Sequence, residues 1–334
     1  MENLLVNKVA AVKEVRQAAE YQKKKQACIL TGLAGSSKPV FFAAADKLLG
    51  GKGSMAFITA SREEIRTYRR ELNYLYPDLP MQELYPVSLP RVQADTQSLE
   101  LQAGRAAALR FLSGDERGIV FITAEALQQK QLRPSGMSGK ALQLAVGEEH
   151  EQRNIAAALL DLGYERTEQV DALGQFCLRG DILDVYPINS STAVRIEWFD
   201  NELDAMRSFD VDTQRSLQTL TSIKIAPLKV DESFSYDADI FEYCAADTMV
   251  VVDEPVHVFS MLEKLDKENK EHASELFGKQ ELIEQLAANG AVLVSALGHS
   301  YLQQLPSLNI PVRAVAPYNT VSYTHLTLPT NSRV

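Results

Sequence analysis

Five short apolar runs are the feature of this sequence that most restricts its fold. Three come early, at residues 26–33, 54–61 and 118–124, and two come late, at residues 248–255 and 290–296. Each run is typical of a strand buried on both faces, and helical patterns separate the early runs. This alternation of strands and helices favours a parallel α/β sheet. The late runs indicate that a second, distant part of the chain completes the sheet.

The middle of the chain has a different pattern, in which apolar and polar residues alternate. The alternation predicts antiparallel strands over "QFCLRG", "DILDVYP" and "AVRIEWF", and the pair Asp200–Asn201 suits a tight turn into "ELDAMRSF". We therefore expect an α/β fold in which a parallel-sheet domain is split by an inserted smaller α+β domain. The predicted boundaries are 1–128 for the first half, 129–228 for the inserted domain and 229–320 for the second half, where one polar helix is expected over 260–290.

Composition limits the class of protein. The 334 residues carry a formal net charge of −10, which argues against general affinity for nucleic-acid backbones. The three cysteines are far apart and fit neither a disulfide framework nor a zinc site, and the histidines lack partner ligands at metal spacing, so no metal site is predicted. No run has the length of a membrane span or the pattern of a signal peptide. We expect a cytoplasmic protein with no membrane partner.

The segment "ILTGLAGSSKPVFFAAA" has the position and outline of the phosphate-binding loop of an ATPase. Such a loop needs G-x-x-x-x-G-K-[ST] between a strand and a helix. Gly32 and Gly35 fall within it, but Ser37 stands where the second glycine should be, and its Cβ would crowd the phosphate path. Pro39 stands where a hydroxyl should bind Mg²⁺. Lys38 remains, and without the loop around it we expect an ordinary surface charge.

A second half of the motif lies much later in the chain. Asp253 and Glu254 end the run "MVVVDE", where the metal-binding carboxylates of such ATPases follow a strand. Together with the loop, they indicate a degenerate nucleotide fold that does not hydrolyse ATP. A weaker alternative is a metabolite-binding α/β protein whose loop holds another anion, although a complete G-x-G-x-x-G motif is missing.

Three segments carry a resemblance to a known family: "LTGLAGSSKPVFFAAA", "LGYERTEQVDALGQFCLRGDILDVYP" and "VRIEWFDNELDAMRSFDVDTQRS". They closely resemble the N-terminal part of the bacterial transcription-repair coupling factors (Mfd), a region that is similar to the repair protein UvrB. The resemblance extends from residue 1 to about 315. It implies a UvrB-like domain with degenerate nucleotide motifs, split by a domain that binds UvrA. The implied function is to recruit UvrA for a factor that displaces RNA polymerase stalled at DNA lesions and brings in nucleotide excision repair.

The same resemblance implies what this chain does not contain. In the family, an RNA-polymerase-binding domain and a DNA-translocating motor that uses ATP and Mg²⁺ lie downstream. We therefore expect no enzyme activity and no cofactor for the chain itself, and contact with RNA polymerase and DNA only through those other domains. In the intact family, the UvrA surface is expected to pack against the C-terminal part. The alternative is an active ATP-dependent repair subunit of the UvrB type.

The last residues of the sequence are interpreted as foreign to the protein. Residues 321–330, "VSYTHLTLPT", correspond to an in-frame translation of a sequencing transposon adapter. We expect residues 321–334 to be non-native and the reading frame to be truncated. His325 is accordingly assigned no function.

The resemblance to UvrB also implies which residues contact UvrA. Carried over by position, Arg166 and Arg179 correspond to arginines of the UvrB surface that meets UvrA, and Cys177 stands where UvrB has a further arginine. Without the resemblance, Arg179 would be interpreted as a cross-strand ion pair with Glu197 or Asp184. Arg166 would be interpreted as a solvated charge.

Strand alternation predicts which side chains share this surface. Phe176 would face the core, leaving Cys177 and Arg179 on the exposed face of the strand. Arg195 and Glu197 alternate with apolar neighbours and would edge the same surface. The predicted UvrA-binding residues are Arg166, Arg179, Phe176, Cys177, Arg195 and Glu197.

Overall fold

The computed structural model describes residues 4–89, 99–134, 141–228, 236–296, 305–310 and 312. The tail predicted to be non-native, residues 321–334 with His325, lies outside the described residues. Within the described ranges, no helix is long and apolar enough to cross a membrane.

The first part of the chain alternates helices and strands, as its apolar runs predict. The three early runs become strands, and two of these are buried along their whole length. The elements are α1 (Leu4–Ala10), α2 (Lys13–Lys23), β1 (Cys28–Thr31), α3 (Ser37–Leu48), β2 (Met55–Thr59), α4 (Arg62–Leu75), β3 (Met81–Leu84), α5 (Leu99–Ser113), β4 (Ile119–Thr123) and α6 (Ala124–Gln128).

The rest of the described chain first forms short strands and then returns to the helix–strand pattern. The middle elements are β5 (Gln131–Leu132), β6 (Leu142–Ala145), α7 (Gln152–Asp161), β7 (Glu165–Arg166), β8 (Gln175–Arg179), β9 (Ile182–Val185), β10 (Ala193–Phe199), β11 (Glu202–Phe209), β12 (Ser216–Leu220) and β13 (Ser222–Ile225). The last elements are β14 (Tyr236–Ala238), a 3₁₀ turn (Ile240–Tyr243), β15 (Met249–Asp253), α8 (Pro255–Glu268), a second 3₁₀ turn (Lys270–Glu275), α9 (Lys279–Ala288), β16 (Val292–Ser295) and β17 (Ser307–Asn309).

The large sheet confirms the predicted split α/β fold. Among the described residues, seven strands pair in the order β17-β1-β16-β15-β2-β4-β3, and all of the pairings are parallel. The late strands β15 and β16 lie between the early strands β1 and β2. The two parts of the chain are therefore interleaved within one sheet. The sequence did not predict β3 and β17, which are short strands at the two edges.

The inserted part forms a separate, mostly antiparallel sheet. Within the described chain its order is β12-β11-β10-β9-β8-β7, and β7 and β8 form its parallel pair. Asp200 has a left-handed backbone, with φ of +56°, in the tight turn between β10 and β11. The four predicted strands over 175–209 are present. The two short pairs β13–β6 and β14–β5 lie outside both large sheets.

The polar stretch over 260–290 is not one helix, and the prediction of a single helix is wrong. Asn269 ends α8, and Gly278 precedes α9. Between them Leu276 and Phe277 are buried, and the Phe277 amide donates a hydrogen bond to a carbonyl of α6 at 2.8 Å. Burial of these two side chains favours breaking the helix over continuing it along the surface.

The core of the parallel-sheet domain contains an aromatic cluster on one face of the sheet. The ring centroid of Phe57 lies 4.6 Å from that of Phe42, 4.8 Å from that of Tyr68 and 6.0 Å from that of Phe121. Phe57 itself is fully buried. These rings join β2, β4, α3 and α4 into one packed layer.

Replacing Phe57 with alanine should lower the free energy of unfolding by about 3–5 kcal/mol, because the loss of the ring leaves a cavity at the centre of this cluster. Urea unfolding monitored by circular dichroism measures the change. Tyr74→Ala is the matched control, since Tyr74 is 84% exposed and its loss should change stability by no more than about 0.5 kcal/mol. Equal effects of the two substitutions would contradict this packing.

Candidate functional site

The loop between β1 and α3 is shaped by its two glycines. Gly32 and Gly35 have left-handed backbone, with φ of +84° and +53°. A side chain at Gly32 would collide with the backbone of Ile310 and would lie 2.9 Å from Asn309 Oδ1. Glycine is therefore required at position 32 by space as well as by backbone conformation.

Ser37 closes this loop on itself. Its hydroxyl accepts a hydrogen bond from the Ala34 amide at 3.0 Å and donates one to the Ala34 carbonyl at 2.7 Å. In a working phosphate loop, such backbone amides face the phosphates, whereas here the serine hydroxyl binds one of them. Pro39 is buried in the first turn of α3 and has no hydroxyl to offer a metal ion.

Lys38 is not a surface charge, so that expectation is wrong. Its side chain is only 6% exposed, and its Nζ lies 2.6 Å from Asp253 Oδ1 and 2.7 Å from Glu254 Oε1. The strands that precede these residues, β1 and β15, are parallel and end at the same edge of the sheet. This arrangement brings together groups that are more than 200 residues apart in the chain. The two degenerate half-motifs thus form one buried ion cluster.

Glu254 is held in this cluster by several contacts. Its backbone is left-handed, with φ of +42°, at the start of α8. Its Oε1 accepts a hydrogen bond from the Ala296 amide at 2.9 Å, and its Oε2 accepts one from the Ser295 hydroxyl at 3.1 Å. Such a conformation costs free energy in a residue with a side chain and persists where surrounding contacts maintain it. Here those contacts direct the carboxylate towards Lys38.

Lys38 and Glu254 stabilise each other's charge. Burial disfavours the Lys38 ammonium, but the carboxylates of Asp253 and Glu254 outweigh burial and raise the pKa of Lys38. Burial likewise acts to raise the pKa of Glu254, but the Lys38 ammonium and the surrounding hydrogen bonds bring it below its ordinary value. Burial, together with the Asp253 carboxylate, also raises the pKa of the neighbouring Tyr68. Lys38 and Glu254 therefore remain charged at neutral pH.

The second candidate site is the outer face of the six-stranded sheet. Arg179 lies on this face at the end of β8, whereas Arg166, exposed on the edge strand β7, is in register with the core residue Phe176 and therefore points to the opposite face. The Arg179 side chain is 54% exposed and donates one hydrogen bond to Asp184 Oδ2, at 3.1 Å. The cross-strand pair with Asp184, considered from the sequence as the alternative for Arg179, is therefore present. More than half of the arginine side chain remains open to solvent.

Two of the predicted contact residues are buried. Phe176 is fully covered by the core of the inserted domain, as strand alternation predicts. Cys177 is only 2% exposed, and its thiol donates to the Glu168 carbonyl at 2.9 Å, so the prediction that it faces solvent is wrong. The reason is a small apolar cluster on this side of the sheet that alternation does not reveal. Its buried members are Val170, Cys177, Ala193 and Phe209.

Arg195 and Glu197 lie on the predicted face but are engaged within it. Arg195 Nε and Nη2 lie 2.6 and 2.8 Å from the two carboxylate oxygens of Asp184. Glu197 is ion-paired with Arg207. The Arg195 and Glu197 side chains are only 19% and 28% exposed. Arg179, which is more open, is better placed than either residue to meet a partner.

The part of the chain that contains this sheet is similar to known proteins. A family model described as the UvrB interaction domain matches residues 142–230. The chain is also similar to proteins named transcription-repair-coupling factor: it is 36% identical over 203 residues to that of Bacillus subtilis, 32% over 202 residues to that of Staphylococcus haemolyticus and 28% over 165 residues to that of Escherichia coli. The chain is therefore similar to part of the transcription-repair-coupling factors. The resemblance inferred from the sequence is confirmed.

The similarity covers a small part of these transcription-repair-coupling factors. The aligned region is 60% of this chain and 17% of the relatives from Bacillus subtilis and Staphylococcus haemolyticus. For the relative from Escherichia coli, the shares are 49% and 14%. This chain therefore corresponds to one region of those longer proteins.

Sequence reasoning missed Arg207 at this face and treated Asp184 only as an alternative partner. Arg207 lies directly opposite Arg195 in the pairing of β10 with β11. Counting from the tight turn would have placed it opposite Val194, because the register shifts by one residue between Glu197 and Trp198. The ion-pair partners themselves could not be derived, because several carboxylates alternate on the same face. Within the described residues, no group of three or more His, Cys, Asp or Glu side chains could hold a metal ion.

Replacing Lys38 with methionine should destabilise the fold by about 3–5 kcal/mol near neutral pH, because two carboxylates would remain buried without a cation. Urea unfolding measures the loss. Lys264→Met is the matched control: it is also a lysine paired with a glutamate, but its side chain is 63% exposed, so little change is expected. Equal stability of K38M and the unaltered chain would contradict the buried ion cluster.

The effect of K38M should also depend on pH. In the unaltered chain, the pKa of Glu254 is lowered, so its contribution to stability is present above 4.5 and is lost as pH falls through the folded value. Without the ammonium, burial should raise the pKa of Glu254. Lowering the pH should then protonate this carboxyl group and reduce the destabilisation of K38M. Denaturant titrations between neutral pH and pH 4.5 should therefore show a shrinking difference between the two chains. A difference that grows on acidification would count against this charge assignment.

Proposed function

We propose that the chain is a docking module that recruits UvrA as part of a transcription-repair coupling factor. The observation that carries this proposal is the match of residues 142–230 to the UvrB interaction domain, within which Arg166 and Arg179 are exposed on one sheet. We assign the docking role to the inserted domain, residues 129–228. The two halves at 1–128 and 229–320 serve as its support.

The chemistry of this surface suits an acidic partner site. The planar guanidinium of arginine can donate two parallel hydrogen bonds to one carboxylate, and arginine is enriched among residues that dominate binding energy. The outer face of the six-stranded sheet offers Arg179 for such contacts, and the edge strand β7 offers Arg166. Because the chain carries a net charge of −10, we expect it to attract an acidic partner only at this locally positive surface and not over its whole surface.

We propose further that residues 32–39 do not turn over ATP. Ser37 engages the Ala34 amide, and Lys38 is bound to Asp253 and Glu254. A metal-bound triphosphate would need the loop amides, the lysine and a free carboxylate at the same time. The arrangement of these residues does not fit that ligand. For this reason we assign the chain itself neither enzyme activity nor a cofactor, and we disfavour the UvrB-type ATPase as the alternative function.

The wider role belongs to the longer proteins of which this chain resembles one region. We propose that the intact factor displaces RNA polymerase stalled at DNA lesions and brings in nucleotide excision repair. Its motor domain would use ATP and Mg²⁺, and RNA polymerase and DNA would be contacted outside this region. The C-terminal part would cover the UvrA surface until recruitment begins.

Binding of purified UvrA to the chain, measured by isothermal titration calorimetry, tests the docking role. Arg166→Ala and Arg179→Ala should each weaken binding roughly 30-fold or more, the loss typical of an interfacial arginine that dominates binding. Arg133→Ala is the matched control, because Arg133 is also exposed and paired with carboxylates but lies outside the six-stranded sheet. The absence of a complex, or a complex that tolerates both substitutions, would refute the proposal.

Titration of the chain with ATP in the presence of Mg²⁺ tests the loop. No saturable heat is expected, because the lysine and both carboxylates are already engaged with one another. UvrB, the type of the ATP-dependent repair subunit considered above as the alternative, serves as the positive control. Saturable heat that requires Mg²⁺ and disappears in K38M would instead support the ATPase alternative.

A further inference from the structure

The outer face of the six-stranded sheet, which carries Arg179 and Arg195, is called the docking face. Asp184 is hydrogen-bonded to both of these arginines. It lies on β9, opposite Cys177 of β8 and Arg195 of β10, and its side chain is only 2% exposed. Its Oδ1 accepts a hydrogen bond from Arg195, and its Oδ2 accepts bonds from both Arg195 and Arg179. One buried carboxylate is therefore shared by two guanidinium groups. A single cation would be enough to neutralise it.

Arg195 is the fixed member of this trio. Its two hydrogen bonds to Asp184, at 2.6 and 2.8 Å, are parallel and bidentate. Its Nη2 also donates to Gln214 Oε1 at 3.1 Å, and its guanidinium lies over the Phe209 ring, 4.7 Å from the centroid. With contacts on its edge and on its flat face, this guanidinium has little freedom to move.

Arg179 is the loosely held member. Its hydrogen bond to Asp184 is single and longer, at 3.1 Å, and its side chain is 54% exposed compared with 19% for Arg195. When Arg179 turns away, Asp184 keeps both of its bonds to Arg195. No buried charge is then left without a partner, which is the step that would otherwise be costly.

We infer that Asp184 and Arg195 form a fixed ion pair that frees Arg179 to exchange Asp184 for a carboxylate of the docking partner. This inference rests on the proposed function, and it assigns Arg195 to positioning instead of direct contact. The trio carries two positive charges and one negative charge, so one positive charge is left for the partner. The adjacent pair of Glu197 with Arg207 is already neutral. The partner is thus expected to present an acidic side chain at Arg179.

The inference makes a specific prediction for charge removal at Arg195. In R195M, Arg179 becomes the only cation paired with the buried Asp184. If Arg179 then pairs with a partner, the Asp184 carboxylate is left without a cation. Affinity for purified UvrA should fall about tenfold or more, although residue 195 makes no contact with it. In the double variant D184N/R195M the buried charge is gone, Arg179 is free again, and affinity should return to within about threefold of the unaltered chain.

The outcomes separate this inference from the proposed function. If R179A binds UvrA as well as the unaltered chain, the docking role of this face fails. If R179A loses binding but R195M keeps it, or if D184N/R195M binds no better than R195M, only the positioning role of Arg195 is overturned. Arg133→Met is the control for a general loss of positive charge, and thermal melts verify that each variant is folded.

A measurement on the unaltered chain covers the case in which R195M does not fold. Nitrogen-15 NMR of arginine side chains should show a slowly exchanging Arg195 Nε–H in the free chain and a mobile Arg179. On addition of UvrA, the Arg179 signals should shift and its Nε–H should exchange more slowly, and the chemical shifts of Arg195 should stay in place. Shifts confined to Arg195 would overturn the division of roles.

Discussion

The interleaving of strands from two distant parts of the chain is the constraint on which the rest of this structure depends. β15 and β16 occupy the centre of the parallel sheet, between β1 and β2. A parallel sheet must be covered and paired on both sides of each central strand, so neither part of the chain can complete it alone. The two parts of the chain that flank the inserted sheet in sequence are therefore joined in one parallel sheet.

The Lys38 cluster lies at the junction of those two parts. Three charged groups in a buried place would be strongly unfavourable unless they neutralised one another, and the distances of 2.6 and 2.7 Å show that they do. The residue types are those of a nucleotide site, but the lysine contacts the carboxylates directly. In an ATPase the lysine at this position would contact the bound nucleotide, whereas here Lys38 forms an internal ion pair that stabilises the fold. The loss of the second loop glycine and of the hydroxyl at position 39 is consistent with this change, because neither is needed for an internal ion pair.

On the docking face, too, a buried charge is paired with opposite charges, but here the cations outnumber the carboxylate. There a buried carboxylate is shared by two arginines, so the three groups together carry one net positive charge. The face is also less polar than an alternating strand would suggest, because Cys177 and Phe209 pack together beneath the charges. This packing restricts Arg195, whose guanidinium lies over the Phe209 ring, whereas Arg179 stays more exposed.

The sequence by itself determined the strands of both sheets that carry strong periodicity, the split of the α/β domain and the similarity to transcription-repair-coupling factors. These features depend on local patterns: short apolar runs, two-residue alternation, and glycines such as Gly32 that a turn requires. Only the tertiary structure decided that Lys38 is buried, that Cys177 is covered and that the stretch 260–290 is interrupted between Asn269 and Gly278. The physical reason is common to all three. Each outcome is set by contacts between residues distant in the chain, where burial and ion pairing outweigh the preferences that a local pattern records.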